Sequence, residues 1–283
     1  MYNVSMQKIK LISLDFDGTT LNKKAELTPH TKEVLRRLHD EKGIIIYPNT
    51  GRGTEVLEPL ARKLDFIDYY SGLNGGMILQ KGKIVRDTPF EKEAAQRVFD
   101  ALEEEGFTFI FVLDGFYFDK NGISPRSFES ITAPFQQDVD RQIKEKGLRR
   151  FIRETDRKVY KIVATFFDQD DMALAKKRVL EKMKSVDGII CQASLVFNVE
   201  INPSLCSKGT SVEFVQERYG LKREEILCIG DNDNDIEMML EGCETVAMKN
   251  GTEGLKQKTK YITEYTNDEE GVARFLEEYF QLK

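Results

Sequence analysis

Four short segments carry most of the residues that could do chemistry. In Asp15-Phe16-Asp17-Gly18-Thr19-Thr20 two carboxylates stand beside a glycine and two hydroxyls. Carboxylates this close repel, which calls for a cation between them, and Mg2+ is the natural ion for a set of oxygen ligands. The same ion would ease the attack of a carboxylate on an anionic phosphoryl group. In Gly230-Asp231-Asn232-Asp233-Asn234-Asp235 acids alternate with amides. Asp231, Asp233 and Asp235 match alternate ligand positions of a calcium loop. An EF-hand would then need Gly at its sixth position and Glu at its twelfth. The chain has Ile236 and Gly242 there, which argues against that reading.

The other two segments are weaker signals. In Thr50-Gly51-Arg52 the Thr50 hydroxyl and the Gly51 amide could hold a phosphoryl oxygen, and Arg52 could reach substrate or a neighbouring loop. Lys208 opens a helical pattern, where the helix dipole disfavours a cation, so a lysine there suits a role facing an anion. Each segment alone also has a plain structural reading: a solvated acidic turn, a strand-to-helix turn, a surface lysine, a helix-capping acidic run. Asn74-Gly75-Gly76 lacks both the Gly-Lys-Ser/Thr and the spaced-glycine phosphate fingerprints. It reads as a tight turn or a hinge into the next segment.

The surrounding pattern explains how these segments could meet. Residues 9–14 and 44–47 are short apolar runs that read as buried strands. Between them Thr28-Pro29 opens a helix, with Val34, Leu35 and Leu38 on one face and Gly43 at its end. A second helix runs through Val56, Leu57, Leu60, Ala61 and Leu64, with Pro59 expected to kink it or limit its first turn. Lys81-Gly82 joins two strands as a hairpin. Helices are expected over 90–105, 134–146 and 170–184, and strands over 108–113, 116–118, 158–167, 188–192 and 195–201. After residue 200 the alternation returns. It gives a helix over 207–219, a strand over 226–229, a helix from 233 to 240, a strand over 245–248 and a final helix over 271–280. The stretch 266–270 supplies capping residues and first-turn acids for that last helix. Alternating strands and helices imply a parallel sheet with right-handed crossovers. Ligands of such sheets collect outside the carboxyl ends of the strands, where all four segments fall.

Composition narrows the function further. The chain has 283 residues, 40% hydrophobic and 32% charged, with a net charge of −6. That balance disfavours nucleic acid as a partner. No window approaches a membrane span, and residues 1–10 do not read as a signal peptide. The four cysteines form no CxxC pair and there are two histidines, so a zinc site is not expected. Cys191 and Cys228 lie in apolar runs and read as buried thiols, which points to a reducing, cytoplasmic setting.

Taken in order, Asp15-x-Asp17, Thr50, Lys208 and Gly230-Asp231 with Asn234-Asp235 resemble the four motifs of the haloacid dehalogenase superfamily. The resemblance covers about 1–80 and 200–283. The intervening segment looks like that superfamily's type-2 (C2B) cap. Asn74-Gly75-Gly76, Ser207-Lys208-Gly209 and Asp268-Glu269-Glu270-Gly271-Val272 look like its Cof-type phosphatases in particular. The resemblance implies an α/β fold. A Rossmann-like parallel-sheet core over 1–84 and 199–283 would carry an inserted α+β cap over 85–198. It implies that Asp15 attacks phosphorus and that Asp17 serves as acid and then base. Asp15, the backbone carbonyl of Asp17 and Asp231 would bind Mg2+, with Asp235 in support, directly or through water. Thr50, Gly51, Lys208 and Asn234 would hold the phosphoryl group. Pro48-Asn49 and the loop before Lys208 depart from the family's usual residues. The expected activity is Mg2+-dependent hydrolysis of a small phosphorylated metabolite. A sugar phosphomutase and a non-catalytic phosphometabolite-binding regulator are the alternatives. The cap, with its aromatics from Phe107 to Phe118 and with Arg149, Arg150 and Arg153, is expected to set specificity.

Overall fold

In a computed structural model of the chain, which describes residues 9–104, 108–112, 116–118, 152–166, 170–192 and 198–282, the apolar run after Lys10 forms strand β1 (Leu11–Leu14) with every residue buried. The described residues divide into two units. The first spans Met1–Arg52, Leu57–Arg86 and Ser207–Lys283; the second spans Gly53–Val56 and Asp87–Cys206.

The first unit holds β1, β2 (Ile45–Pro48), β3 (Tyr69–Gly72), β4 (Met77–Gln80) and β5 (Lys83–Asp87). Strands β6 (Thr108–Val112), β7 (Phe116–Phe118), β8 (Lys161–Thr165), β9 (Ile189–Gln192) and β10 (Asn198–Pro203) belong to the second. The chain then returns to the first with β11 (Ile226–Gly230), β12 (Glu244–Ala247) and β13 (Tyr261–Ile262). The central sheet has the order β13-β12-β11-β1-β2, and all its pairs are parallel. The strand order reverses between β1, the first strand, and β11. That is the switch point where a crevice opens in such sheets. β3 meets the end of β2 through a single parallel bridge, Asn49 to Ser71, and then pairs with β4. The β4–β5 hairpin turns on Lys81 (φ 50) and Gly82 (φ 77), the two left-handed positions a two-residue turn requires.

Helix α1 (Pro29–Lys42) starts and stops as its sequence directs. Thr28 accepts from the amide of Thr31, and Gly43 ends the helix in the left-handed region. Helix α2 (Thr54–Lys63) runs on through Pro59, which lies in its interior and not in its first turn. In the second unit α3 (Lys92–Glu104) and α4 (Met172–Met183) pack Val98, Phe99, Leu102, Ala175 and Val179 with Ile162, Ala164, Val199 and Ile201 of the antiparallel sheet β7-β6-β8-β10-β9. The alternate residues of β8 and β10 include a buried ion pair, Lys161 to Glu200 at 2.7 Å. The helix expected over 134–146, together with Phe107, Arg149 and Arg150, lies outside the described residues.

Helix α5 (Lys208–Tyr219) is capped by Ser207, and α6 (Gly271–Phe280) closes the chain. Two expectations change in detail. The helix expected from 233 is a tight 3-10 turn, Asp233–Met238, at whose entry Asp235 accepts from the amides of Asp231 and Asn232 and Asn232 from that of Asp233. Thr266 and Glu269 cap a separate 3-10 turn, Asn267–Glu269, and Glu270 (φ 61) then redirects the chain into α6. Cys228 is buried as expected; Cys191 is half-buried. No helix among the described residues is long and apolar enough to cross a membrane.

Candidate active site

Asp15 follows β1 and still belongs to the sheet, since its amide donates to the Ile229 carbonyl at 3.1 Å. The chain then turns sharply at Gly18 (φ 73), and Leu21 closes the turn by donating to the Phe16 carbonyl at 2.8 Å. Thr20 donates its hydroxyl to the carbonyl of Asp15 at 2.5 Å, and Thr19 donates to Oδ1 of Asp231 at 2.7 Å. The two hydroxyls thus tie the β1 loop to itself and to the β11 loop. A Cβ on Gly18 would overlap Oδ2 of Asp231, so the close approach of the two acidic loops depends on glycine.

Lys208 is the hub. Its Nζ lies 2.7 Å from Oδ1 of Asp15 and 2.6 Å from Oδ1 of Asp235, and it is fully buried. The surface-lysine reading is thereby excluded. The unfavourable helix-dipole position is outweighed by two carboxylates at contact distance. Burial pulls the ammonium's pKa down, but Asp15 and Asp235 outweigh it and raise the pKa above its ordinary value. Oδ2 of Asp235 accepts from the amides of Asp231 (2.8 Å) and Asn232 (3.0 Å), so both oxygens of that carboxylate are engaged. Gly230 allows this, since a Cβ there would lie 2.5 Å from Cγ of Asp235.

Asp15, Asp231 and Asp235 each offer a carboxylate oxygen, and the three atoms lie within 4.8 Å of one another. Three acids stand against one ammonium. Burial, ahead of the neighbouring acids, pushes Asp15 well above the usual carboxylate range despite Lys208. Burial and then Asp235 push Asp231 up to about 7. A cluster of oxygen donors short of positive charge fits a hard divalent cation.

Asp17 does not join this cluster through its carboxylate. Its side chain is half exposed and both of its oxygens are gripped by Arg52, with Nε 2.6 Å from Oδ2 and Nη2 on Oδ1. Arg52 thus reaches the β1 loop, one of the two destinations its position allowed. Thr50 is buried at the end of β2, and its hydroxyl accepts from the amide of Arg52 at 3.3 Å. Gly51 follows it in the same loop. Asn234 is buried in the turn after β11 and donates to Oδ1 of Asn74 at 3.4 Å.

The structure therefore brings Asp15, Lys208, Asp231 and Asp235 into one contact network, with Thr50 and Asn234 in adjoining loops. Two further partners carry no clear signal in the sequence. Asn49 donates from Nδ2 to the Lys208 carbonyl at 2.9 Å, joining the β2 end to α5. Asn74 receives Asn234. Asn49 stands out in the sequence only as a departure from a familiar pattern, and Asn74 as a turn residue within a stretch that resembles the Cof-type phosphatases, with no contact to Asn234 implied.

A family model for haloacid dehalogenase-like hydrolases matches residues 12–276. The 5-amino-6-(5-phospho-D-ribitylamino)uracil phosphatase YwtE of Bacillus subtilis is 28% identical, over 95% of this chain and 98% of its own length. Phosphatase YwpJ of the same species is 25% identical, over 95% of this chain and 99% of its own. Among solved structures, a haloacid dehalogenase-like hydrolase from Bacteroides thetaiotaomicron matches with a TM-score of 0.78 at 26% identity, covering 96% of this chain and 100% of that one.

Proposed function

The chain belongs to the haloacid dehalogenase-like hydrolases as one of their phosphatases, and we propose that it hydrolyses a small phosphorylated metabolite, a sugar phosphate or phosphorylated cofactor, through an aspartyl-phosphate on Asp15. The observation that carries this reading is the buried ammonium of Lys208 held between Asp15 and Asp235, with Asp231 beside them.

In this reading a carboxylate oxygen of Asp15 attacks phosphorus and the ester bond to the leaving oxygen breaks. Asp17 gives that oxygen its proton. The proton-free Asp17 then takes a proton from water, which attacks the acyl-phosphate, releases inorganic phosphate and restores Asp15. Lys208, the Thr50 hydroxyl, the Gly51 amide and Asn234 hold the phosphoryl oxygens as charge shifts among them. Asp15, Asp231 and the backbone carbonyl of Asp17 would ligate Mg2+, with Asp235 acting through water or through Lys208. Bound Mg2+ would supply charge neutralisation between nucleophile and phosphoryl oxygens. Arg52 holds Asp17 from the side, and one of the two carboxylate oxygens must leave the guanidinium to carry the proton.

The relative YwtE is named for a substrate with its phosphate on a ribityl chain, which supports a phosphorylated sugar or polyol here. The net charge of −6 supports a small-molecule partner over nucleic acid. Four free thiols suit a cytoplasmic setting. Phosphate release from p-nitrophenyl phosphate tests the mechanism. Activity is expected with Mg2+, to vanish with EDTA, and to be lost in Asp15→Asn with the fold intact. Near-native turnover by Asp15→Asn would remove Asp15 from the nucleophile's role. A panel of metabolite phosphates then tests the substrate class.

A further inference from the structure

The turn after β3 is a motif that this mechanism leaves unused. The chain leaves Gly72 and passes through Leu73 (φ 56), Asn74 (φ 55) and Gly75 (φ 89). Two successive non-glycine residues sit in the left-handed region, a strain that persists only where the surroundings over-determine it. The surroundings here are the loops that carry the phosphoryl-binding groups. The Leu73 amide donates to the Arg52 carbonyl at 2.8 Å and the Asn74 amide to the Thr50 carbonyl at 3.0 Å. Gly75 lies so close to the start of α5 that a Cβ would overlap the Ser207 carbonyl oxygen. Oδ1 of Asn74, itself fully buried, receives Nδ2 of Asn234.

That last contact couples the orientations of the two amides. With Asn74 turned as it is, a flipped Asn234 would set two carbonyl oxygens against each other, so the NH2 end of Asn234 faces Asn74. One of its protons goes to Asn74 and the other remains to donate. An anionic phosphoryl oxygen needs donors, and an amide held the wrong way would repel it.

We propose that Asn74 is a positioning residue of the phosphoryl site: its side-chain oxygen sets Asn234 in the donor orientation, while its backbone amide ties down the loop bearing Thr50. The inference rests on the phosphatase reading for the role of Asn234.

The test is a double-mutant cycle read by calorimetric binding of inorganic phosphate to the Mg2+-loaded chain, with thermal midpoints recorded alongside. Asn74→Gly keeps the left-handed backbone and removes the accepting oxygen. It is expected to weaken phosphate binding about tenfold, and Asn234→Ala is then expected to cost less than about twofold further. In the wild type, and in Asn74→Asp, which keeps the accepting oxygen and the shape, Asn234→Ala is expected to cost its full about tenfold. An equal cost of Asn234→Ala in all three backgrounds overturns the proposal, as does unchanged phosphate binding in Asn74→Gly. If Asn74→Gly does not fold, a loss of the Asn234→Ala effect in Asn74→Asp overturns it too. Wild-type protein that binds phosphate and shows the coupling but releases none from any ester defeats the phosphatase reading alone. Wild-type protein that binds no phosphate defeats both.

Discussion

Lys208 places its ammonium 2.7 Å from Oδ1 of Asp15 and 2.6 Å from Oδ1 of Asp235, with all three side chains shielded from solvent. A buried ion network gains little over an apolar core, but removing one member leaves the others uncompensated, at a cost of about 3–5 kcal/mol. Lys208→Ala is therefore expected to lower the thermal midpoint by roughly ten degrees. In the proposed mechanism it should also cut turnover by at least about a hundredfold, since the phosphoryl group would lose a buried donor. Calorimetry and phosphate release check the two effects separately. A variant that melts with the wild type would mean the triad is not formed.

Arg52 holds both oxygens of Asp17, and a lysine cannot reproduce that fork. If Arg52 orients the group that protonates the leaving oxygen, the damage of Arg52→Lys must depend on the leaving group. The loss is expected to be about tenfold or more for an alkyl phosphate, whose leaving oxygen needs a proton. It should be much smaller for p-nitrophenyl phosphate, which departs without one. Equal losses on both substrates would place Arg52 in binding and not in orienting Asp17.

If the acidic cluster holds the proposed Mg2+, binding must depend on pH. A carboxyl raised in the folded state, as Asp231 is to about 7, contributes stability that is complete below its unfolded pKa and is lost as pH rises through the folded value. The metal-free chain is thus expected to lose stability between about pH 4 and pH 7. Mg2+ needs the ionised carboxylates and should restore it. At a hundred times its Kd a ligand adds about 2.7 kcal/mol. The rise in thermal midpoint with Mg2+ should be larger at pH 8 than at pH 6, and Asp231→Asn should shrink it. A rise independent of pH and of Asp231 would place the ion elsewhere.

How far the sequence reaches depends on the range of the interactions involved. Asp15, Lys208 and Asp231 are legible because each ends a short apolar run or opens a helix, and the topology of a parallel sheet delivers them to one edge. The caps of α1 and the hairpin at Lys81-Gly82 are legible because a cap or a two-residue turn is written within four residues. The grip of Arg52 on Asp17 is not, since it joins two loops whose side-chain directions no local pattern records. The bond from Asn234 to Asn74 hides for the same reason. The 3-10 turn at Asp233 escapes because the local pattern places Asp235 in the first turn of an ordinary helix. Its carboxylate instead folds inward onto two backbone amides and Lys208.

Gly18 tests how closely the two acidic loops must approach. Its φ of 73 and the overlap of any added Cβ with Oδ2 of Asp231 both oppose a side chain. Gly18→Ala is expected to push Asp231 away and break its contact with Thr19. Mg2+ affinity, read by calorimetry, should fall by about tenfold or more, with stability down by roughly 1–2 kcal/mol from the backbone strain. Unchanged metal affinity would show that the loop can shift without disturbing the cluster.

His30 offers a pH dependence remote from the site. It stands in the first turn of α1, where the dipole disfavours positive charge. Yet Nε2 lies 3.1 Å from Glu277 and Nδ1 2.9 Å from Glu270, on α6 and its entry. Glu277 and then Glu270 raise its pKa above the ordinary histidine value. A raised histidine contributes stability that is complete below its unfolded pKa, about 6.5, and is lost as pH rises through the folded value. The urea midpoint of the wild type should therefore exceed that of His30→Gln most at about pH 6, and the gap should close toward pH 9. The gap will be small, because the ring is well exposed and solvent screens the pair. A gap that stays constant across that range would assign His30 a packing role and no charge contribution.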